Sequence, residues 1–95
     1  MAVLHIVRNS AFNDNKLNLC LSVISSNDIV FLMDDGVYNI AHPKLLKRLN
    51  ELTIYVLTEH LNARGLALDE DKIKQADLKQ LVIQSDDADK IITWQ

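Results

Sequence analysis

Leu52-Thr53-Ile54-Tyr55-Val56-Leu57-Thr58 is the stretch on which the reading of this chain turns. Its first six residues are β-branched, aromatic or aliphatic and uninterrupted, the mark of a strand buried on both faces. Thr58 then offers an N-cap oxygen for a short helix through Arg64, and Gly65 is placed to take the left-handed position that ends it. A buried strand running directly into a helix predicts a parallel α/β sheet if the same pair recurs upstream.

It recurs twice. Val3-Leu4-His5-Ile6-Val7 is a short apolar strand, followed by Arg8-Asn9-Ser10 and then a change of period. Leu17, Cys20, Leu21 and Ile24 fall at i, i+3, i+4 and i+7, one stripe of a helix over residues 13 to about 25, with Asn13 or Asp14 as cap. Ile29-Val30-Phe31-Leu32-Met33 is the second strand, broken by Asp34-Asp35-Gly36, where Gly36 is expected to take a positive φ. Pro43 suits a first helical turn that points Leu45, Leu46 and Leu49 inward and Lys44, Lys47 and Arg48 outward. Three strands separated by helices imply parallel pairing through right-handed crossovers. Beyond Gly65, a short edge strand is predicted around Ile73 and a helix over 77–85 with Leu78, Leu81 and Val82 on one face. Ile91-Ile92-Thr93-Trp94 then forms a last extended segment. The expectation is a single α/β domain over residues 1–95, three layers deep (α/β/α), with a mainly parallel sheet of about four or five strands.

Composition narrows the functional classes. Ninety-five residues hold one core. A hydrophobic content of 48% with 24% charged residues suits a globular domain, and a net charge of −3 argues against direct grip on nucleic-acid phosphates. No apolar run is long enough to span a bilayer, and the amino-terminal segment lacks a basic leader, so no membrane association and a cytoplasmic location are expected. One cysteine cannot close an internal disulfide, which fits the same compartment.

Few residues invite chemistry. Cys20 alone could carry a persulfide, which requires a thiolate; its neighbours Leu19 and Leu21 place it near the inward stripe, where cysteines are usually inert packing. Lys16, four residues back on the same face, is the local cation that could lower its pKa. Asp34 and Asp35 stand at a strand end, where α/β sheets bind ligands, but the position after the first strand holds Arg8 and Asn9 rather than a second acid, so a turn is the simpler reading. His5, His42 and His60 lack metal-site spacing, and His5 reads as a hydrogen-bonded core histidine; no metal or other cofactor is expected. Residues 8–13 contain no glycine, which rules out a dinucleotide loop, and Ser10 has no elbow or partner base. Arg64 is read as meeting the carbonyls at its helix end, and Lys44, Lys47 and Arg48 as a solvated face. Trp94 is an aromatic anchor, either packed on its own domain or buried against a partner.

Taken in order, Leu4-His5, Cys20, Asp34 to Tyr38, Tyr55-Val56-Leu57, Leu61-x-Ala63-Arg64-Gly65 and the tryptophan end resemble the TusB/DsrH family, small subunits of bacterial sulfur-relay complexes. The resemblance implies a small DsrEFH-like parallel α/β domain. It also implies a heterohexamer with homologous TusC/DsrF-like and TusD/DsrE-like subunits, two copies of each, and a downstream sulfur-acceptor protein; self-association of the chain alone stays open. Such complexes relay persulfide sulfur, either to the wobble uridine of certain transfer RNAs or in the oxidation of stored sulfur. Their principal sulfur-accepting cysteine belongs to the TusD/DsrE-type subunit. Members of the DsrH type carry a cysteine matching Cys20, and some TusB-type members do not. The resemblance therefore implies a chiefly structural, non-catalytic subunit of a sulfurtransferase, with Cys20 as an auxiliary persulfide site.

Overall fold

A computed structural model describes residues 2–95. Five strands, β1 (Val3–Val7), β2 (Ile29–Leu32), β3 (Thr53–Leu57), β4 (Ile73–Ala76) and β5 (Lys90–Trp94), form one sheet in the order β4-β3-β2-β1-β5. Every neighbouring pair is parallel. The connections carry helix α1 (Lys16–Val23), a 3-10 segment (Asp34–Ala41), α2 (Pro43–Leu46), α3 (Thr58–Ala63) and α4 (Leu78–Asp87). This is the small α/β domain that the strand–helix alternation predicts. No described helix is long and apolar enough to cross a membrane.

Strand order and handedness together decide which face each helix covers. From β1 to β4 the chain steps in one direction across the sheet, so right-handed crossovers put every intervening helix on the same side. That side holds the larger core, where Leu17, Cys20 and Leu21 of α1, Val37, Leu45 and Leu61 pack on Val7, Val30, Leu32, Ile54 and Val56. To reach β5 the chain must return past β3, β2 and β1, and the reversal carries α4 to the opposite side. There the smaller core of Leu4, Phe31, Leu57 and Ala76 receives Leu81 of α4.

Several local expectations need correction. Helix α1 is shorter than residues 13–25, because Asn13 and Asp14 spend their N–H groups on the Ser10 carbonyl in a turn (3.0 and 3.2 Å). Asp14 still serves the helix start, its carboxylate accepting from Lys16 N–H at 3.0 Å. Thr58 is the first residue of α3 rather than its cap; Leu57 holds that position and no side chain caps the helix. Leu46 points out, 39% exposed, because a helix of four residues turns only Leu45 fully inward. On α4, Leu81 alone faces the sheet closely while Leu78 and Val82 lie open. Gly65 does adopt φ +65°, and the Leu66 N–H closes back on Leu61 O at 3.1 Å, as a helix-ending glycine should.

The turn after β2 is the most informative departure. Its positive φ falls on Asp34, at +50°, not on Gly36. Gly36 is needed for space instead: its N–H reaches Arg8 O at 3.1 Å, and a Cβ there would lie 2.0 Å from Val7 O and 2.8 Å from Val7 C. Replacing Gly36 with Ala should therefore cost about 3 kcal/mol or more in urea unfolding, since the obstacle is backbone. Gly65→Ala, with open space around it and only the φ to accommodate, should cost about 1 kcal/mol.

Candidate functional site

Cys20 lies on the sheet-facing stripe of α1, 0% exposed, within the larger core. Burial is the main reason its thiol is pushed up to about 12; the Asp28 carboxylate adds to the shift and the Arg48 guanidinium opposes it. The cation bearing on Cys20 is thus Arg48, from the turn after α2, rather than Lys16. Arg48 reaches across to donate to the Leu21 carbonyl while its Nε pairs with Glu51 at 3.0 Å. A thiol in this setting holds its proton at neutral pH and has no route to a bulky electrophile while α1 stays docked.

Beneath the same face lies a polar network whose one clue in the sequence is the histidine inside β1. Asp28, 4% exposed at the entry to β2, accepts from Val3 N–H (3.1 Å), Ser25 N–H (3.1 Å) and His5 Nε2 (3.0 Å). His5, 2% exposed, receives the Trp94 indole N–H on its Nδ1 at 3.1 Å. An indole nitrogen can only donate, so Nδ1 must be unprotonated and Nε2 must carry the hydrogen given to Asp28. The arrangement is self-consistent for a neutral imidazole and an ionised carboxylate. Burial alone would raise the Asp28 pKa, but the hydrogen bonds from His5, Ser25 and Val3 outweigh it and hold the group below its usual value. Trp94 therefore packs back on its own domain, half-buried, with its ring stacked on His5 at 6.2 Å between centroids.

The carboxyl ends of the strands, where ligands of α/β sheets usually sit, carry a third cluster. Arg8 Nε meets the Asp34 carboxylate and Arg8 Nη1 reaches Gln95 Oε1 at 2.9 Å. His60 Nδ1 accepts the Asp34 N–H at 2.7 Å, which helps hold that residue at its positive φ. Arg64 pairs with Asp35 at 3.0 Å and also touches the His60 carbonyl, so the role expected for it at the helix end is joined by an ion pair. Each acid of the Asp34-Asp35 pair faces its own arginine. Among the described residues, no three His, Cys, Asp or Glu side chains converge as metal ligands would. The structure places the separate candidates apart: Cys20 is in the core, Asp34 and Asp35 are at the strand ends, and Trp94 bonds His5. A cleft of about 420 Å³ between Phe12, Tyr38, Leu46 and Leu68 includes none of them.

Comparison with known proteins bears on this geometry. The family described as DsrH like protein matches residues 9–91. A crystal structure of the ychN protein from E. coli superposes with a TM-score of 0.70, covering 98% of this chain and 99% of that one at 22% sequence identity. At that identity the likeness is one of fold. No curated protein matches by sequence.

Two outcomes follow from the buried groups. At pH 8 a thiol of pKa about 12 is about one part in ten thousand thiolate, so Cys20 should resist an aromatic disulfide reagent in native protein and react at once in denaturant. Asp28 has a folded-state pKa below its unfolded one, so the stability it contributes is present above the unfolded value of about 3.9 and lost as pH falls through the folded one. Asp28→Asn should cost about 3 kcal/mol at pH 7, where the hydrogen bonds made to the ionised carboxylate are felt in full. The variant should also show a shallower decline of stability than wild type below pH 5, both measured by urea unfolding.

Proposed function

This chain belongs to the DsrH-like family, and on that premise we propose that it is the small subunit of a persulfide-relay complex serving 2-thiolation of the wobble uridine in transfer RNA. Its partners are homologous TusC/DsrF-like and TusD/DsrE-like subunits, and its contribution is chiefly architectural. The observation that carries the architectural part of this reading is the sealed Cys20. A relay cysteine must attack the outer sulfur of an incoming persulfide as a thiolate: a Cys20–S–S⁻ bond forms, the donor's S–S bond breaks, and the electron pair leaves on the donor thiolate. A thiol pushed up to about 12 and walled by Leu17, Leu21 and the sheet is poorly placed for that step, so the principal carrier lies on another subunit. Cys20 is an auxiliary site only where assembly lifts α1 and uncovers it. The exposed edge of Trp94, beside Arg8 and Gln95, is the part of that residue left to meet a partner.

A role in sulfur oxidation is the alternative, and the presence of a cysteine at position 20 favours it, since that is the DsrH-type pattern. The test is to express the chain with and without its homologous subunits, then treat each sample with a cysteine desulfurase and cysteine and record intact masses. Assembly with the partners, a reductant-labile gain of one sulfur on a partner, and unimpaired relay with Cys20→Ser are the expected results. Failure to assemble would overturn the proposal. Loss of relay in a folded Cys20→Ser complex would instead make Cys20 an obligatory carrier and overturn the architectural role.

A further inference from the structure

Helix α4 is the one long helix of the described fold with no buried residue. It sits alone on its side of the sheet, held by Leu81, by the Asp77 cap on Gln80 N–H (2.8 Å) and by Gln84 reaching the Tyr55 hydroxyl at 3.5 Å. Its outward face reads Lys79, Val82, Ile83, Asp86, at the spacing that puts i, i+3, i+4 and i+7 on one stripe. Val82 and Ile83 are 59% and 45% exposed, and Lys79 and Asp86 have no ion-pair partner among the described residues.

Two features of that stripe point to its occupant. The charges run against the helix's own dipole: the last turn carries Asp86 and Asp87 and no basic residue, and Lys79 stands in the first turn. The local helix gains nothing from this order. The stripe is also self-complementary. Lys79 and Asp86 lie about 10 Å apart along the axis, and their midpoint falls between Val82 and Ile83. A two-fold axis through that midpoint sets the helix antiparallel to its copy, with Lys79 of each facing Asp86 of the other and the four apolar side chains between. Each lysine then stands beside the carboxyl end of the partner helix, where the dipole favours a cation. A parallel arrangement would oppose lysine to lysine and aspartate to aspartate.

We propose that the outer face of α4 is a self-association surface, pairing antiparallel with α4 of a second copy through Val82 and Ile83 and two symmetric Lys79–Asp86 ion pairs. The two-fold contact is isologous and closes at the dimer. It is small, below the size of stable interfaces, so the dimer is weak and reversible, with a Kd on the order of 10–100 µM. Because exposed ion pairs flank it, raising salt from about 50 mM to 500 mM weakens it several-fold. The inference goes beyond the sulfur-relay reading and does not rest on it.

Sedimentation velocity of the isolated chain from about 1 to 500 µM tests it directly, with far-UV circular dichroism confirming that each variant keeps the fold. The expected results are a concentration-dependent, salt-sensitive monomer–dimer equilibrium and a loss of dimer in Val82→Asp. Lys79→Asp or Asp86→Lys alone should weaken association at least tenfold, while the two together should restore it to within about twofold, because the reversed pairs are again complementary. A monomer at every concentration would overturn the proposal and leave the face to a different partner. So would a dimer indifferent to Val82→Asp, or a double charge reversal that fails to restore association.

Discussion

An ionised carboxylate taken out of water needs its hydrogen-bond capacity met by fixed donors, and Asp28 meets it with three at once. Val3 N–H comes from the start of β1, Ser25 N–H from the loop leaving α1, and the His5 imidazole from the middle of β1. Through His5 the constraint extends to Trp94 at the end of β5. The first and last strands, adjacent in the sheet though at opposite ends of the chain, are thereby locked in register by one proton arrangement. If the imidazole carried its proton on Nδ1, or were doubly protonated, the Trp94 N–H would meet another donor. The network specifies which way the core is assembled, beyond any net stability it contributes.

The same packing disfavours the thiolate of Cys20. Cys20 shares its side of the sheet with Asp28, and both burial and that negative charge disfavour the thiolate. Arg48 opposes them from the turn after α2, but its charge is already engaged with the Leu21 carbonyl and Glu51. Reactivity at Cys20 would require α1 to move, and α1 is held on the sheet by Leu17, Leu21 and Cys20 itself. A chain that completes an assembly and leaves sulfur chemistry to a partner fits such a core better than one that carries the sulfur itself.

The uneven covering of the sheet has a different origin. Four strands laid down in one direction, then a fifth placed at the opposite edge, oblige right-handed connections to put every helix but one on one side. The remaining side is left to the ten residues of α4. A helix about 10 Å wide cannot cover five strands, so apolar residues stay open there, Ile91 on the edge strand among them. The exposed face of α4 is thus a consequence of topology, and its charge order is what gives that face a direction.

How much of this was legible in residues alone follows from the range of the forces involved. Hydrophobic period, β-branching and turn chemistry act over a few residues, so the strands around Phe31, Tyr55 and Ile92, the edge strand at Ile73 and the left-handed Gly65 could all be read locally. The same locality gave Cys20 its place on the inward stripe. What the sequence could not reveal depends on groups far apart in the chain. The steric need for Gly36 is set by Val7, 29 positions earlier, the pKa of Cys20 by Asp28 and Arg48, and the fate of Trp94 by His5. Which leucines of α4 lie open was likewise undecidable, because amphipathic spacing shows that a helix has an apolar face and not how many layers lie above and below it. The sequence by itself determined an α/β chain of a recognisable family; tertiary contact alone decided that its cysteine is sealed, its tryptophan tied inward and its last helix left uncovered, since burial and charge pairing are properties of the assembled sheet.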